Sequence, residues 1–238
     1  MTMSRFPIFF LLLINLLLLA MPAQADITIA MKAIERGHYA TAERALRKPA
    51  ANGDMLAQNN LGYLYEHGLG VEQSYSEALS WYSRAAEAGL GYAQYNLATL
   101  YHYGRGASKN QSAALVWYTA AANSKLPEAQ YMMGEYQREG WGGKKDAALA
   151  LSWYLKAARQ GHPGAQLMAS SLYLSGEGWR IEPQKALIWA ELARINGERQ
   201  AVMVVAQAGK KIRNKEQVAE AMQLASVCLQ SEYKNCPE

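Results

Sequence analysis

The residues able to do chemistry are four histidines, a few paired carboxylates and one serine–lysine spacing. His67 and His102 sit at nearly equivalent places in successive segments, with Glu66 beside the first. Such a set can bind a divalent cation or sense protons. However, His38, His67, His102 and His162 form neither His-x-x-x-His nor His-Glu-x-x-His, the spacings that put two imidazoles on one helical face. Ser231-Glu-Tyr-Lys234 satisfies Ser-x-x-Lys, but Ser-Asp-Asn and Lys-Thr-Gly do not occur with it. A serine nucleophile also needs an adjacent base in a structured pocket. Glu135 and Glu139 share a helical face, which is usually a solvated stripe and does not by itself support a glycosidase pair. Gly68/Gly70, Gly104/Gly106, Gly140/Gly142 and Gly176/Gly178 lack the Gly-Lys-Ser/Thr triplet of a phosphate loop. Asn110-Gln-Ser112 matches a glycosylation acceptor, yet Asn110 falls where a helix cap is needed. The sequence predicts no catalytic residue, no metal site and no cofactor.

What the sequence does show is a period. Trp81, Trp117, Trp153 and Trp189 recur every 36 residues. Ala57, Ala93, Ala129, Ala165 and Ala201 share a second column, the Gly-x-Gly pairs a third, and Ala85, Ala121, Ala157 and Ala193 a fourth. Tyr82, Tyr118 and Tyr154 follow the tryptophans until Ala190 breaks the column. A period of this size marks a solenoid, in which each unit buries its apolar face on its neighbours.

Each unit reads as two helices. Ala57, Leu61 and Tyr65 fall at i, i+4 and i+8 on one face of the first, which stops at Gly-x-Gly because glycine enters the left-handed conformation freely. Ser74, Asn110 and Asp146 are caps for the second helix, Ser74 with Glu77 forming a capping box. In the fourth unit Glu182-Pro183 replaces the cap, and Pro127 and Pro163 suit first helical positions. Paired alanines at 85–86, 121–122 and 157–158 allow close helix approach. The four tryptophans are expected to fill the core between units, each ring removing about 150–250 Å² from water.

These columns resemble the Sel-one-like repeat family, a relative of the tetratricopeptide repeat. The pattern Ala-x-x-x-Leu-Gly-x-x-Tyr-x-x-Gly-x-Gly followed by Ala-x-x-Trp-Tyr-x-x-Ala-Ala-x-x-x-Gly is nearly intact from Ala57 to Gly89. Ala98, Lys125, Gln137 and Ser170 depart from it in later units. The resemblance implies an all-α fold: a right-handed α/α superhelical solenoid of about four to five helix-turn-helix repeats, with atypical capping helices at both ends. The expected organisation is a signal peptide over 1–25 and a degenerate tetratricopeptide-like half-unit over 26–53. Four repeats follow at 54–89, 90–125, 126–161 and 162–197, then C-terminal capping helices with a tied tail over 198–238. The resemblance implies adaptor or scaffold roles rather than a reaction.

Arg5, the apolar run from Ile8 to Ala20 and Ala23-Gln24-Ala25 make a signal peptide, with cleavage expected before Asp26. The alternative is an uncleaved anchor, but the run is short for a span of about 20 residues. The mature chain would then carry no transmembrane segment and reach the periplasm. Cys228 and Cys236, the two cysteines of the chain, are expected to form a disulfide tying the tail to the last helix; a redox pair would more usually be Cys-x-x-Cys. The net charge of +4 is too small and scattered for a nucleic-acid footprint. Lys210-Lys211-Ile212-Arg213 is the single basic cluster.

In tetratricopeptide-like solenoids the first helix of each unit lines the concave surface. The positions facing it are Leu56, Asn59, Tyr63 and Glu66, then Tyr92, Tyr95, Thr99 and His102, then Glu128, Tyr131, Glu135 and Arg138. With Tyr103 they form a tyrosine-rich surface of the kind recognition sites favour. The functional expectation is a monomeric periplasmic scaffold that binds a protein or peptide partner in the cell envelope. The competing readings are an envelope hydrolase acting on peptidoglycan or β-lactams and a glycan-binding carrier.

Overall fold

The computed structural model describes residues 26–237. The expected signal peptide and its cleavage site lie outside the described residues. The fold is all-α, of α/α solenoid type, and divides between Ser108 and Lys109 into two compact units. The first holds α1 (residues 26–35), α2 (Tyr39–Ala51), α3 (Met55–His67), α4 (Tyr75–Glu87) and α5 (Gly91–Tyr103). The second holds α6 (Gln111–Asn123), α7 (Pro127–Glu139), α8 (Ala147–Ala158), α9 (Pro163–Ser175), α10 (Pro183–Ile195), α11 (Ala201–Lys211) and α12 (Lys215–Gln230). In the second, helices neighbouring in sequence pack together up to α11, and α10 also packs on α12.

The helix starts are set by short polar side chains. Ser74 Oγ accepts from Glu77 N at 3.2 Å, Asn110 Oδ1 from Ala113 N at 3.0 Å and Asp146 Oδ1 from Leu149 N at 2.8 Å. Each fills one of the orphan donors of a first helical turn. The cap residue's own N–H has a tertiary partner: Ser74 N donates to Tyr65 O, Asp146 N to Gln137 O and Glu182 N to Tyr173 O. The backbone of the first helix thus does what the glutamate of a capping box would do. Asn214 caps α12 by accepting from Glu216 N at 2.8 Å.

The two glycines of each Gly-x-Gly have different duties. Gly68, Gly104, Gly140 and Gly176 end α3, α5, α7 and α9 in the left-handed region. The second glycine makes room for the preceding helix pair. A Cβ on Gly70 would lie 2.3 Å from Ala40 N, on Gly106 2.3 Å from Tyr75 O, and on Gly178 2.4 Å from the Ala147 carbonyl carbon.

The core differs from the sequence expectation in one respect. Trp189 is fully buried, but Trp81, Trp117 and Trp153 are only partly so. The rings enclosed completely are those of the next column, Tyr82, Tyr118 and Tyr154, together with Tyr136 and Tyr173. The reason is visible opposite them. A Cβ on Gly62 would fall 2.6 Å from the Tyr82 ring, and one on Gly134 2.4 Å from that of Tyr154. In these two repeats the tyrosine ring packs directly on a glycine, Ala98 holds that column in the repeat of Tyr118, and the preceding tryptophan is left only partly buried. In the last repeat both partners change: Ser170 stands in the glycine column and Ala190 in the tyrosine column, both buried, and there Trp189 turns fully inward. The disulfide Cys228–Cys236 closes the tail, with Cys228 inside the core of the second unit and Cys236 packed against it.

Candidate partner-binding surface

In the first unit the tyrosines named from sequence separate into two environments. Tyr63, Tyr92 and Tyr103 on α3 and α5 stand in solvent, 44, 61 and 59% exposed, and Leu56 is exposed beside them in sequence register with Tyr92. Tyr95 is half-buried. The Tyr63 ring lies 4.3 Å from that of His67, and His102 meets Tyr103 edge-on at 4.7 Å. Asn96 Nδ2 donates to Asn59 Oδ1 at 3.0 Å, joining α5 to α3.

Glu66 and His102, expected at the contact surface, are interior groups. The Tyr82 hydroxyl donates to Glu66 Oε2 at 2.9 Å, and Arg105 Nη1 stands 3.6 Å from Glu66 Oε1. Burial and the Glu66 carboxylate together hold the Tyr82 phenol far above its ordinary range. The carboxylate is needed where it is because a buried hydroxyl without an acceptor is costly.

The second unit repeats this arrangement one helical turn earlier. The Tyr154 hydroxyl donates to Glu135 Oε1 at 2.6 Å, and Arg138 Nη2 donates to Glu135 Oε2 at 2.8 Å. Arg138 also pairs with Glu139 at 2.8 Å. Burial first, and then the Glu135 carboxylate, raise the Tyr154 phenol and push that of Tyr131 up to about 12. Glu135 and Arg138 are therefore spent on internal partners. Tyr131, half-buried, stacks on His162 with centroids 4.8 Å apart and planes 14° apart. His162 Nδ1 in turn accepts from Ala165 N at 3.1 Å, capping α9.

Sequence reasoning missed a functional column of another kind. Gln58, Gln94, Gln130 and Gln166 recur at the 36-residue spacing, and all four are buried. Their Nε2 atoms donate to Ala50 O, Ala86 O, Ala122 O and Ala158 O at 3.0, 3.2, 3.3 and 3.1 Å. Each fastens the start of a repeat to the end of the helix before it. The signal was available, because these glutamines directly follow the alanine column. Among the described residues no cluster of three histidine, cysteine, aspartate or glutamate side chains is placed to hold a metal ion, and no helix is long and apolar enough to cross a membrane.

Stacked helical pairs fastened by buried amides, with tyrosine rings exposed on the outside, define the class of α/α repeat scaffolds. The Sel1 repeat model matches residues 56–90, 91–125, 127–162 and 163–197, over half of the chain. This protein belongs to the Sel1 repeat family. It is similar to the crystal structure of a Sel1 repeat protein from Oxalobacter formigenes, with 30% identity, a TM-score of 0.73, and coverage of 85% of this chain and 82% of that one. It is also similar to a protective antigen of uropathogenic Escherichia coli strains that displays an SLR fold, with 26% identity and a TM-score of 0.76 over 86% of this chain. There the chain spans 46% of the antigen's length. A sel1-like repeat-containing protein of Acanthamoeba polyphaga mimivirus is 43% identical over 47 residues, 20% of this chain and 9% of the viral protein.

Proposed function

We propose that this protein is an exported, non-catalytic scaffold of the bacterial envelope that binds a protein or peptide partner through the tyrosine-bearing face of α3 and α5. The observation that carries the reading is the exposure of Tyr63, Tyr92 and Tyr103. Large rings left in water, at positions where the other repeats carry no buried ring, are poised to exchange solvent for a partner, and tyrosine offers rigid apolar area with a polar tip. The Cys228–Cys236 disulfide supports export, because such bridges persist in oxidising compartments. Of the carboxylates that would interest an envelope hydrolase, Glu135 is bound to the Tyr154 hydroxyl and Glu139 is paired with Arg138.

The test is capture in the native envelope by photo-crosslinking from position 56, which is exposed and is left intact by the tyrosine variants, with identification of the product. A discrete protein adduct, lost in Tyr63→Ala/Tyr92→Ala at unchanged helicity, is the expected result. Undiminished capture by the folded double variant refutes the surface. Capture of glycan alone refutes the class of partner.

A further inference from the structure

At the end of α6 the chain leaves the helix through Lys125, whose φ is +63°. The same step is made elsewhere by Gly53, Gly89, Gly161 and Gly197 at φ of 91, 93, 82 and 93°. A left-handed backbone is costly for any residue with a Cβ and nearly free for glycine. Lys125 thus holds strain that the repeat's usual residue would remove, and retained strain directs attention to what the side chain does.

Lys125 lines an open crevice of about 430 Å³ together with Trp153, Lys156 and Arg159 of α8. Lys156 Nζ lies 3.7 Å from the centre of the indole of Trp153, a residue that is only partly buried. The floor is amide: Gln160 Nε2 donates to Gln130 Oε1 at 2.8 Å, and Gln130 continues to Ala122 O. Among the described residues that line it, three are cations and none is a carboxylate. The charge is not a property of the repeat. One period later the corresponding residues are Gly161, Leu192 and Ile195, and Trp189 is fully buried.

We propose that this crevice is a second recognition site, taking an acidic segment of a partner protein. Neighbouring carboxylates pair with Lys125 and Lys156, while their aliphatic stems lie along the Trp153 indole. A small anion fits less well, because pockets for small ligands enclose most of the ligand, and here the floor amides are already bonded to one another. Lys125 and Lys156 along an open rim suit neighbouring charges carried on one chain. The site uses different helices from the tyrosine face, so either can fail without the other.

The test is titration of the 15N-labelled protein with a blocked hexaglutamate peptide. Saturable shifts of the Trp153 indole N–H and of the Lys125 and Gln160 amides are expected, weakening as salt rises. Lys125→Gly should raise the thermal midpoint by relieving the backbone and yet weaken binding about two- to fivefold, the range of one exposed ion pair. Lys156→Gln should weaken it similarly. These opposite signs separate recognition from folding. The proposal is overturned if hexaglutamine shifts the same signals equally, if Lys125→Gly binds with unchanged affinity, or if inorganic phosphate reproduces the shifts at the same affinity.

Discussion

Gln166 and Asn196 are joined by a side-chain hydrogen bond of 2.9 Å from Asn196 Nδ2 to Gln166 Oε1, while Gln166 Nε2 holds Ala158 O. One buried amide therefore binds three helices, α8, α9 and the end of α10. Methionine has nearly the same shape and no amide, so Gln166→Met should leave packing intact and remove only the bonds. Ala158 O keeps the bond from Gly161 N, so the loss should be about 1–2 kcal/mol rather than the full cost of an orphaned carbonyl. Urea unfolding of the variant measures it, and an unchanged midpoint would mean that the ladder is incidental.

The first unit has an incomplete version of the same device. Gln58 Oε1 is buried without a hydrogen-bond partner. In the second unit that position is served by residues thirty further along, Gln160 for Gln130 and Asn196 for Gln166. The corresponding residue here is Ala88, which has no polar group. Ala88→Gln should supply the donor and stabilise the protein by about 0.5–1.5 kcal/mol. The gain should vanish in a Gln58→Met background, which a double-mutant cycle reads directly.

The aromatic columns give a contrast between neighbours. Trp189→Ala opens a cavity in a closed core and should cost about 3–5 kcal/mol. Trp117 keeps part of its ring in solvent, so Trp117→Ala removes less buried area and should cost clearly less than Trp189→Ala. Equal losses in thermal or urea unfolding would contradict the ranking of these two rings.

The period made the helices, their caps and their glycine stops legible, because each depends on local chemistry that one column can carry. Burial was harder. Trp and Tyr sit side by side in the sequence, and the ring that turns inward packs on a residue across the helix pair, Gly62 for Tyr82 and Gly134 for Tyr154. That partner is many residues away, and only the paired change in the last repeat hinted at it. Glu66 and Glu135 lie on the expected helices but turn to buried tyrosine hydroxyls, whereas a charged residue is ordinarily exposed. A phenol needing an acceptor reversed that expectation.

At Gly70, Gly106 and Gly178 the second glycine is required for space as well as for backbone angle, and two variants separate these effects. Gly197 has φ of 93° and nothing within 4 Å of a built Cβ, whereas Gly178 would meet the Ala147–Ala148 backbone at 2.4 Å. Gly197→Ala should cost about 1–2 kcal/mol from the angle alone. Gly178→Ala adds a clash with backbone that cannot move without shifting α8, so its cost should exceed that of Gly197→Ala by about 1–3 kcal/mol. Similar thermal midpoints for the two would reduce the glycine column to a matter of turn geometry.

His162 gives the fold a dependence on pH. Its ring is held neutral chiefly by burial, against the smaller opposing pull of Glu128, so its pKa lies below the ordinary histidine value. The neutral ring is also the one required, because Nδ1 must accept from Ala165 N, and a protonated imidazole has no lone pair to offer. From the other side Tyr131 stacks on the ring, and its phenol stays uncharged through this range. In the unfolded chain the group titrates near 6.5. Its contribution is therefore present in full above about 6.5, where both states are neutral. It is lost as pH falls from there toward the lower native value, because the unfolded chain takes up the proton first. Asparagine caps helices well and does not titrate. His162→Asn should match the parent protein in stability near neutrality and decline less between about pH 6.5 and 5. Parallel stability–pH curves for the two proteins would show that the ring does not control the start of α9.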